Sequence, residues 1–374
     1  MQPNFLCFIF FFLLYLLQPI TTIPSLTLLP SEVINPKFTE RKKSAAMEEI
    51  VVESLLSGNR EAQIEAAIEL SNLSRKQRQK ISEREIISPL LSMLQSLDSI
   101  TTEVALSALL SLAFGSERNK VRIVKSGAVP MLLEILQSET KMVIIELAMA
   151  FLLILSSCNK NKIKIASSTR LIHLLVGLIG LDRLTTQAKL DGIATLHNLS
   201  TLHQIVPLVI SSGAPYALLQ VINFCDKSSE IAEKATALLE NIITHSPESI
   251  SSIGGAIGVL VEAIEEGSSQ CKEHAVGVLL CVCNYDRERN RGMILREGVV
   301  PGLLQVSVDG TRRGKEMARE LLLQLRDCSG YVIKNKQSKS EIVEQIMREI
   351  DQEGERIPGT MLKLVEEMIS KLTT

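Results

Sequence analysis

From Met47 to Ile333, apolar residues recur with the three-to-four-residue period of an amphipathic helix. The whole pattern returns about every 42 residues. Seven Leu-rich segments carry it: AAIELSNLS (66–74), ALSALLSLA (105–113), AMAFLLILS (148–156), GIATLHNLS (192–200), ATALLENII (235–243), AVGVLLCVC (275–283) and ARELLLQLR (318–326). Each opens on a small residue and places apolar residues four and seven positions later. The last apolar position falls at Leu73, Leu112, Leu155, Leu199, Ile242, Val282 and Leu325, at spacings of 39, 43, 44, 43, 40 and 43.

Two further landmarks keep step. Ser126-Gly127-Ala128-Val129-Pro130, Ser212-Gly213-Ala214-Pro215 and Glu297-Gly298-Val299-Val300-Pro301 each precede a second apolar stretch. Gly permits the tight turn between helices, and Pro fits the first turn of the next one. Polar runs close the Leu-rich segments: Glu117-Arg118-Asn119-Lys120, Asn159-Lys160-Asn161-Lys162 and Arg287-Glu288-Arg289-Asn290-Arg291. Within a unit, Leu132, Leu133 and Leu136 share one helix face, as do Ala148, Leu152 and Leu155. No unit of this size buries its apolar face alone, so neighbours must stack. The pattern predicts an all-α solenoid of six full units and a weaker seventh, in which the small residue lets successive helices approach closely.

These three landmarks together resemble the armadillo repeat, over roughly 290 residues. The closing run from Arg291-Gly292-Met293 to Arg326-Asp327 resembles in particular the plant armadillo proteins whose array often follows a U-box. The resemblance implies a right-handed superhelix with a concave groove lined by the third helix of each unit. Some units depart from the pattern. The first lacks the Gly turn, the second begins Arg84-Glu85-Ile86-Ile87, and the seventh puts Arg319 at an apolar position. Terminal units that cap an array are expected to be atypical.

Three segments follow from the pattern: 1–46, 47–333 and 334–374. In the first, residues 5–17 are thirteen consecutive apolar residues. That is shorter than the roughly 20 a spanning helix needs, and it suits the core of a signal peptide. No Lys or Arg precedes it, and no A-x-A-like site follows. Thr21 to Glu40 reads as unstructured. An upstream extension absent from the working protein, a targeting segment and a membrane anchor all remain open readings. At the other end, KNKQSK (334–339) breaks the pattern. Two amphipathic helices are expected beyond it, one with Ile342, Ile346 and Ile350 and one with Met361, Leu364, Val365, Met368 and Leu372, forming a helical cap or a partner-binding tail.

The balance of 40 Lys+Arg against 42 Asp+Glu argues against a dedicated nucleic-acid binder. Seven Cys, at Cys7, Cys158, Cys225, Cys271, Cys281, Cys283 and Cys328, show no disulfide framework and read as thiols buried in a reducing compartment. The sequons at Asn72 and Asn198 fall at equivalent points of a packed helix, where glycosylation would clash. The expected location is therefore the cytoplasm or nucleus, with a membrane or secretory route through residues 5–17 as the alternative.

In peptide-binding armadillo proteins, an Asn two-thirds along the third helix holds the ligand backbone, because an amide donates and accepts at once. The resemblance carries this role to Asn72, Ser111, Ile154, Asn198, Asn241, Cys281 and Gln324, a partial ladder in which Asn198 and Asn241 are adjacent. His197 reads as groove surface beside Asn198. The alternative is that these Asn make local hydrogen bonds only. Import receptors of this family place Trp four residues earlier. Here those positions hold Ile68, Ser107, Ala150, Ala194, Ala237, Gly277 and Glu320, and the chain has no Trp. The slots that grip Lys side chains are therefore absent. Basic clusters after the third helices, at Arg75, Lys76, Arg78 and Lys80, at Arg118, Lys120 and Arg122, at Lys160, Lys162 and Lys164, and at Arg287, Arg289 and Arg291, read as solvated loop charge or an edge for acidic partners. Arg312, Arg313 and Lys315 form a further cluster.

Catalytic chemistry finds no support. Gly310 to Glu316 is one residue short of a phosphate loop and ends in Glu where a Ser or Thr is needed. The run Gly254-Gly255-Ala256-Ile257-Gly258 follows no strand. Cys281 and Cys283 point to different helix faces, and His173, His197, His203, His245 and His274 are scattered, so no cofactor, metal or catalytic site is expected. A U-box is a compact domain of roughly 70 residues. The 46 residues before Met47 leave no room for one. The expected function is a non-catalytic adaptor that holds a peptide or helix of a protein partner in the groove. The alternatives are a substrate-recognition component of a ubiquitin ligase, and a membrane-associated armadillo protein.

Overall fold

A computed structural model describes residues 36–96, 98–138 and 141–326. The two tail helices, Cys7 and Cys328, the apolar leader and residues 327–333 lie outside the described residues. The chain divides into two compact units between Met47 and Glu48. Of the first, residues 36–47 are described, and they are helical, in a helix that runs from Pro36 to Leu56. The expectation of an unstructured chain up to Glu40 fails there. Pro36 supplies the fixed φ of a helix start, and the following Glu, Lys and Ala residues are good helix formers.

The second unit holds the array. The Leu-rich segments form seven long helices: α1 Arg60–Asn72, α2 Ser99–Ala113, α3 Met142–Ser156, α4 Thr186–Ser200, α5 Glu230–Ile243, α6 Ser269–Tyr285 and α7 Arg312–Leu325. Successive long helices pack against one another, and a shorter second helix backs each of the six from α2 to α7. The small residue at the head of each pattern sits in these contacts. Ala105, Ala148, Ala235, Ala275 and Ala318 are fully buried. At Gly192 the approach is tighter still: a Cβ would lie 2.7 Å from Met149 Cε and 3.0 Å from Ile179 Cγ1. All the described residues are helix, turn or irregular chain, with no strand among them.

The turn landmark works as anticipated. Gly127, Gly213 and Gly298 adopt positive φ. So does Gly255, so the Gly-rich run rejected as a nucleotide site is the same turn in another unit. In the second unit of the array Glu85 takes the slot, with φ of 35°. It is the one non-glycine residue with positive φ among the described residues. Pro207, Pro215 and Pro301 stand in the first turns of their helices.

The polar landmark has a cause that spacing did not reveal. Asn119, Asn161 and Asn290 are buried and donate back to the carbonyls of Leu112, Leu155 and Val282, at 2.9, 3.1 and 2.7 Å. Each satisfies the open C-terminal end of the long helix it follows. The basic clusters are corrected too. The four that follow long helices lie on short helices, not loops, and several reach across to the next unit, whereas Arg312, Arg313 and Lys315 lie in the first turn of α7. Arg75 Nη2 donates to Gly115 O, Lys120 Nζ to Ser157 Oγ at 2.8 Å and Lys162 Nζ to Thr201 Oγ1 at 2.7 Å. Arg287 donates to Gln324 O and Arg326 O, and Arg291 to Leu325 O. A cation at a helix C-terminus meets the negative end of the macrodipole, so these side chains staple unit to unit. In the last unit Arg319 is exposed and donates to Ser307 O at 3.1 Å, and Leu323 is 46% exposed.

Cys158, Cys271 and Cys283 are buried free thiols, whereas Cys225 and Cys281 are half-buried. No single helix among the described residues is long and apolar enough to cross a membrane.

Leu199 is fully buried between α4 and its neighbours. Leu199→Ala is expected to cost about 2–5 kcal/mol in chemical denaturation. Lys164→Ala, on an exposed face, should stay within about 0.5 kcal/mol of wild type.

Candidate functional site on the long helices

Successive long helices present equivalent positions side by side, so one turn of each builds a row across the array. The row expected to hold a ligand contains Asn72, Ser111, Ile154, Asn198, Asn241, Cys281 and Gln324. The structure treats these residues differently. Asn72, at the end of α1, is exposed and makes no side-chain hydrogen bond among the described residues. Ser111 is 8% exposed and lines a small recess beside Arg75, Arg78 and Asn119. Ile154 is buried as well.

Asn198 and Asn241 form the part of the row that suits a ligand. Both are half-buried, and each is tied to the preceding unit. Asn198 Nδ2 donates to Ser156 Oγ at 3.1 Å, and Asn241 Nδ2 to Ser200 Oγ at 2.8 Å. The hydroxyl donor on both Ser goes to the chain, Ser156 to Leu153 O and Ser200 to His197 O. The two expectations therefore both hold in part: each amide makes a local hydrogen bond, yet that bond takes one of its two N–H groups. A second N–H and the carbonyl oxygen remain. Ala194 and Ala237, one turn earlier, are small and half-buried.

His197 keeps an exposed ring in this region. Desolvation by the surrounding wall, then the positive charges of His274, Lys234 and Lys162, hold it below the ordinary histidine value. It therefore stands as a neutral imidazole near pH 7. Gln324 Nε2 donates to Asn284 Oδ1, while its buried Oε1 has no partner.

Five residues that the sequence did not single out as a group close the row over α6. Glu240 Oε1 meets Arg313 Nη2 at 2.5 Å, and Glu240 Oε2 accepts from His274 Nδ1 at 2.7 Å. Arg313 Nη1 also reaches Glu273 Oε1 at 3.0 Å, and Thr311 Oγ1 donates to Glu273. Burial opposes the charge on Glu240, but the bonds from His274 and Arg313 outweigh it and hold the carboxyl below its usual range. The carboxylate passes over Gly277, where a Cβ would fall on top of it. Gly277 is one of the positions at which an import receptor would carry Trp. Thr311, in the loop that mimics a phosphate site, caps α7 by accepting from Gly314 N at 2.9 Å.

Asp191 is a second group that spacing did not reveal. It lies on α4 and is 6% exposed, with Gln187 Nε2 at 2.9 Å. Burial, reinforced by Glu146, raises its pKa to about 7 against the hydrogen bond from Gln187. No cluster of three or more His, Cys, Asp or Glu among the described residues could hold a metal ion.

Comparison with known proteins agrees with this geometry. Residues 160–343 match the family described as the plant U-box protein ARM repeat region. An engineered protein of known crystal structure superposes over 90% of this chain and 80% of its own, with TM-score 0.67 at 20% identity. A designed armadillo repeat protein, solved in complex with the peptide (KR)4, superposes over 64% of this chain and 98% of its own, with TM-score 0.54 at 19% identity. The chain has the armadillo-repeat fold. Among curated relatives, the Arabidopsis thaliana U-box domain-containing protein 45 is 33% identical over 143 residues, 38% of this chain. The Oryza sativa subsp. japonica U-box domain-containing protein 4 is 31% identical over 141 residues, 36% of this chain. Each match covers only 18% of the relative's own length. The likeness lies within the armadillo array.

A folded-state pKa above the unfolded value means that stability from Asp191 is full below the unfolded value, about 4, and is lost as pH rises to about 7. Asp191→Asn should therefore gain stability relative to wild type at pH 8, by up to about 4 kcal/mol, and little at pH 4. Urea midpoints of both proteins at the two pH values check this.

Proposed function

We propose that this armadillo array is a non-catalytic adaptor that holds an extended segment of a protein partner along α4 and α5. The observation that carries the reading is the pair Asn198 and Asn241. They stand side by side one unit apart, each with an amide carbonyl and an N–H to offer, beside the small residues Ala194 and Ala237. A peptide unit needs one donor and one acceptor in this arrangement. The designed armadillo protein solved with (KR)4 supports an extended peptide as the kind of ligand this fold accepts. A Lys/Arg repeat is not the ligand proposed here, because the chain has no Trp and Glu240 and Arg313 neutralise one another where such a slot would lie.

The likeness to U-box proteins favours a role in recognising partners or substrates within ubiquitin signalling, because the matched stretch is the array. A substrate-recognition component of a ubiquitin ligase is the second reading, on the same observation. Cytoplasm or nucleus is the proposed location, on the free thiols and on Asn198 being tied down at a sequon.

A peptide library displayed on phage and selected on the full chain tests the binding face. Enriched peptides should lose at least about tenfold in affinity to Ala237→Arg, which fills the groove and leaves both Asn–Ser bonds intact. Asn198→Ala with Asn241→Ala should weaken binding too, and should also lower stability by about 1 kcal/mol per lost bond. Equal affinity for Ala237→Arg and wild type, with both folded, would exclude the groove.

A further inference from the structure

Most joints between long helices carry a fixed cation near the C-terminus of the second helix. Arg75 serves the joint from α1 to α2, Lys120 that from α2 to α3, Lys162 that from α3 to α4, and Arg287 with Arg291 that from α6 to α7. The joint from α4 to α5 has no Lys or Arg in that place. Two imidazoles stand there instead. His203 and His245 are 42 residues apart, one repeat, and looked scattered in the sequence. The fold brings His203 Nδ1 to 2.7 Å from His245 Nε2, with ring centroids 4.9 Å apart, and both side chains are exposed.

The hydrogen-bond pattern sets which nitrogen carries a proton. The Thr244 hydroxyl has one proton, which goes to Asn241 O at 2.8 Å. His245 Nδ1, 3.0 Å from Thr244 Oγ1, must therefore donate. That leaves a lone pair on Nε2 of the neutral ring, facing His203 Nδ1. The bridging proton between the two rings then belongs to His203 Nδ1. Two ring nitrogens facing one another across a single proton form a pre-assembled chelating edge. Two imidazole ligands at 2.0–2.1 Å from a tetrahedral metal stand about 3.3 Å apart. A small opening of the pair admits the ion, and His203 changes tautomer through solvent, giving up its Nδ1 proton and taking one at Nε2, so both rings bind as neutral imidazoles.

We propose that His203 and His245 form a two-imidazole site for a borderline divalent metal ion, of the Ni2+ or Zn2+ class, that clips α4 to α5. Imidazole selects such ions over Mg2+ and Ca2+, which prefer oxygen. The position adds a second reason. His245 lies two residues past the end of α5, next to the C-cap Thr244, where its own N–H bonds Ile242 O. A bound cation there meets the negative end of that helix. It supplies the positive charge that Lys120 and Lys162 supply at the earlier joints. Water completes the coordination shell, so the site is open and a donor group of a partner could enter it. The clip lies one turn beyond Asn241, and a metal held there would stiffen the joint that the proposed groove spans.

Isothermal titration of the full chain with NiCl2 at pH 8, in a buffer without phosphate or imidazole, tests the site. One ion should bind per chain, and thermal unfolding should shift upward by a few degrees, because the ion binds only the folded state. His203→Ala and His245→Ala should each abolish both effects. Both side chains are exposed, so each variant should remain folded, and circular dichroism checks that. His173→Ala, at another exposed histidine, should bind as wild type does. Binding that survives in either of the first two variants would place the ion elsewhere, for example at a thiol. An absence of heat and of thermal shift at about 1 mM NiCl2 would overturn the site outright.

Discussion

The side-by-side contact of successive long helices is the constraint on which the rest depends. It requires a small residue at one point of every unit, and the buried series Ala105, Ala148, Gly192, Ala235, Ala275 and Ala318 meets it. A repeat stabilised in this way contacts only its neighbours, so its stability is a chain of local terms. The polar interactions follow the same rule. Buried Asn119, Asn161 and Asn290 close each helix from within its own unit, and Arg75, Lys120, Lys162 and Arg287 reach across one joint.

The same contacts bound the candidate binding face. Over α2 and α3 the expected ligand row is apolar or buried, as at Ser111 and Ile154. Over α6 it is covered by Glu240, which crosses Gly277 to reach Arg313 two units away. Between these two stretches, α4 and α5 offer amides, small residues and a neutral imidazole. The charged network is therefore a boundary as much as a stabilising contact. An ion pair held by two carboxylates and a guanidinium, with its bonds already made, has little to gain from a ligand.

Much of the fold is legible in the chain because a repeat states its rule several times. The Leu-rich segments, the Gly turns and the Pro starts all appear at the helices and turns they imply. Where a unit breaks the rule, spacing misleads. Glu85 takes the left-handed turn without being Gly, and the second Gly-rich run is a turn although no Pro follows it. The polar runs were visible as landmarks, but the buried Asn inside them looked like any other loop residue. The site was legible only in part. Asn198 and Asn241 could be placed by their register. Glu240 and Arg313, 73 residues apart, could not, because a contact that skips a unit leaves no trace in the period. His203 and His245 are one repeat apart but sit outside the segments that define it.

Hydrogen exchange of the full chain, with and without a selected peptide, tests the central claim most directly. If the long helices are the binding face, slower exchange on binding is confined to α4 and α5, around residues 194–201 and 234–241. The second helices, Thr169–Ile179 and Ala214–Phe224, then exchange as in the free chain. Protection of those second helices, with α4 and α5 unchanged, would place the ligand on the opposite face and contradict the groove as the site of recognition.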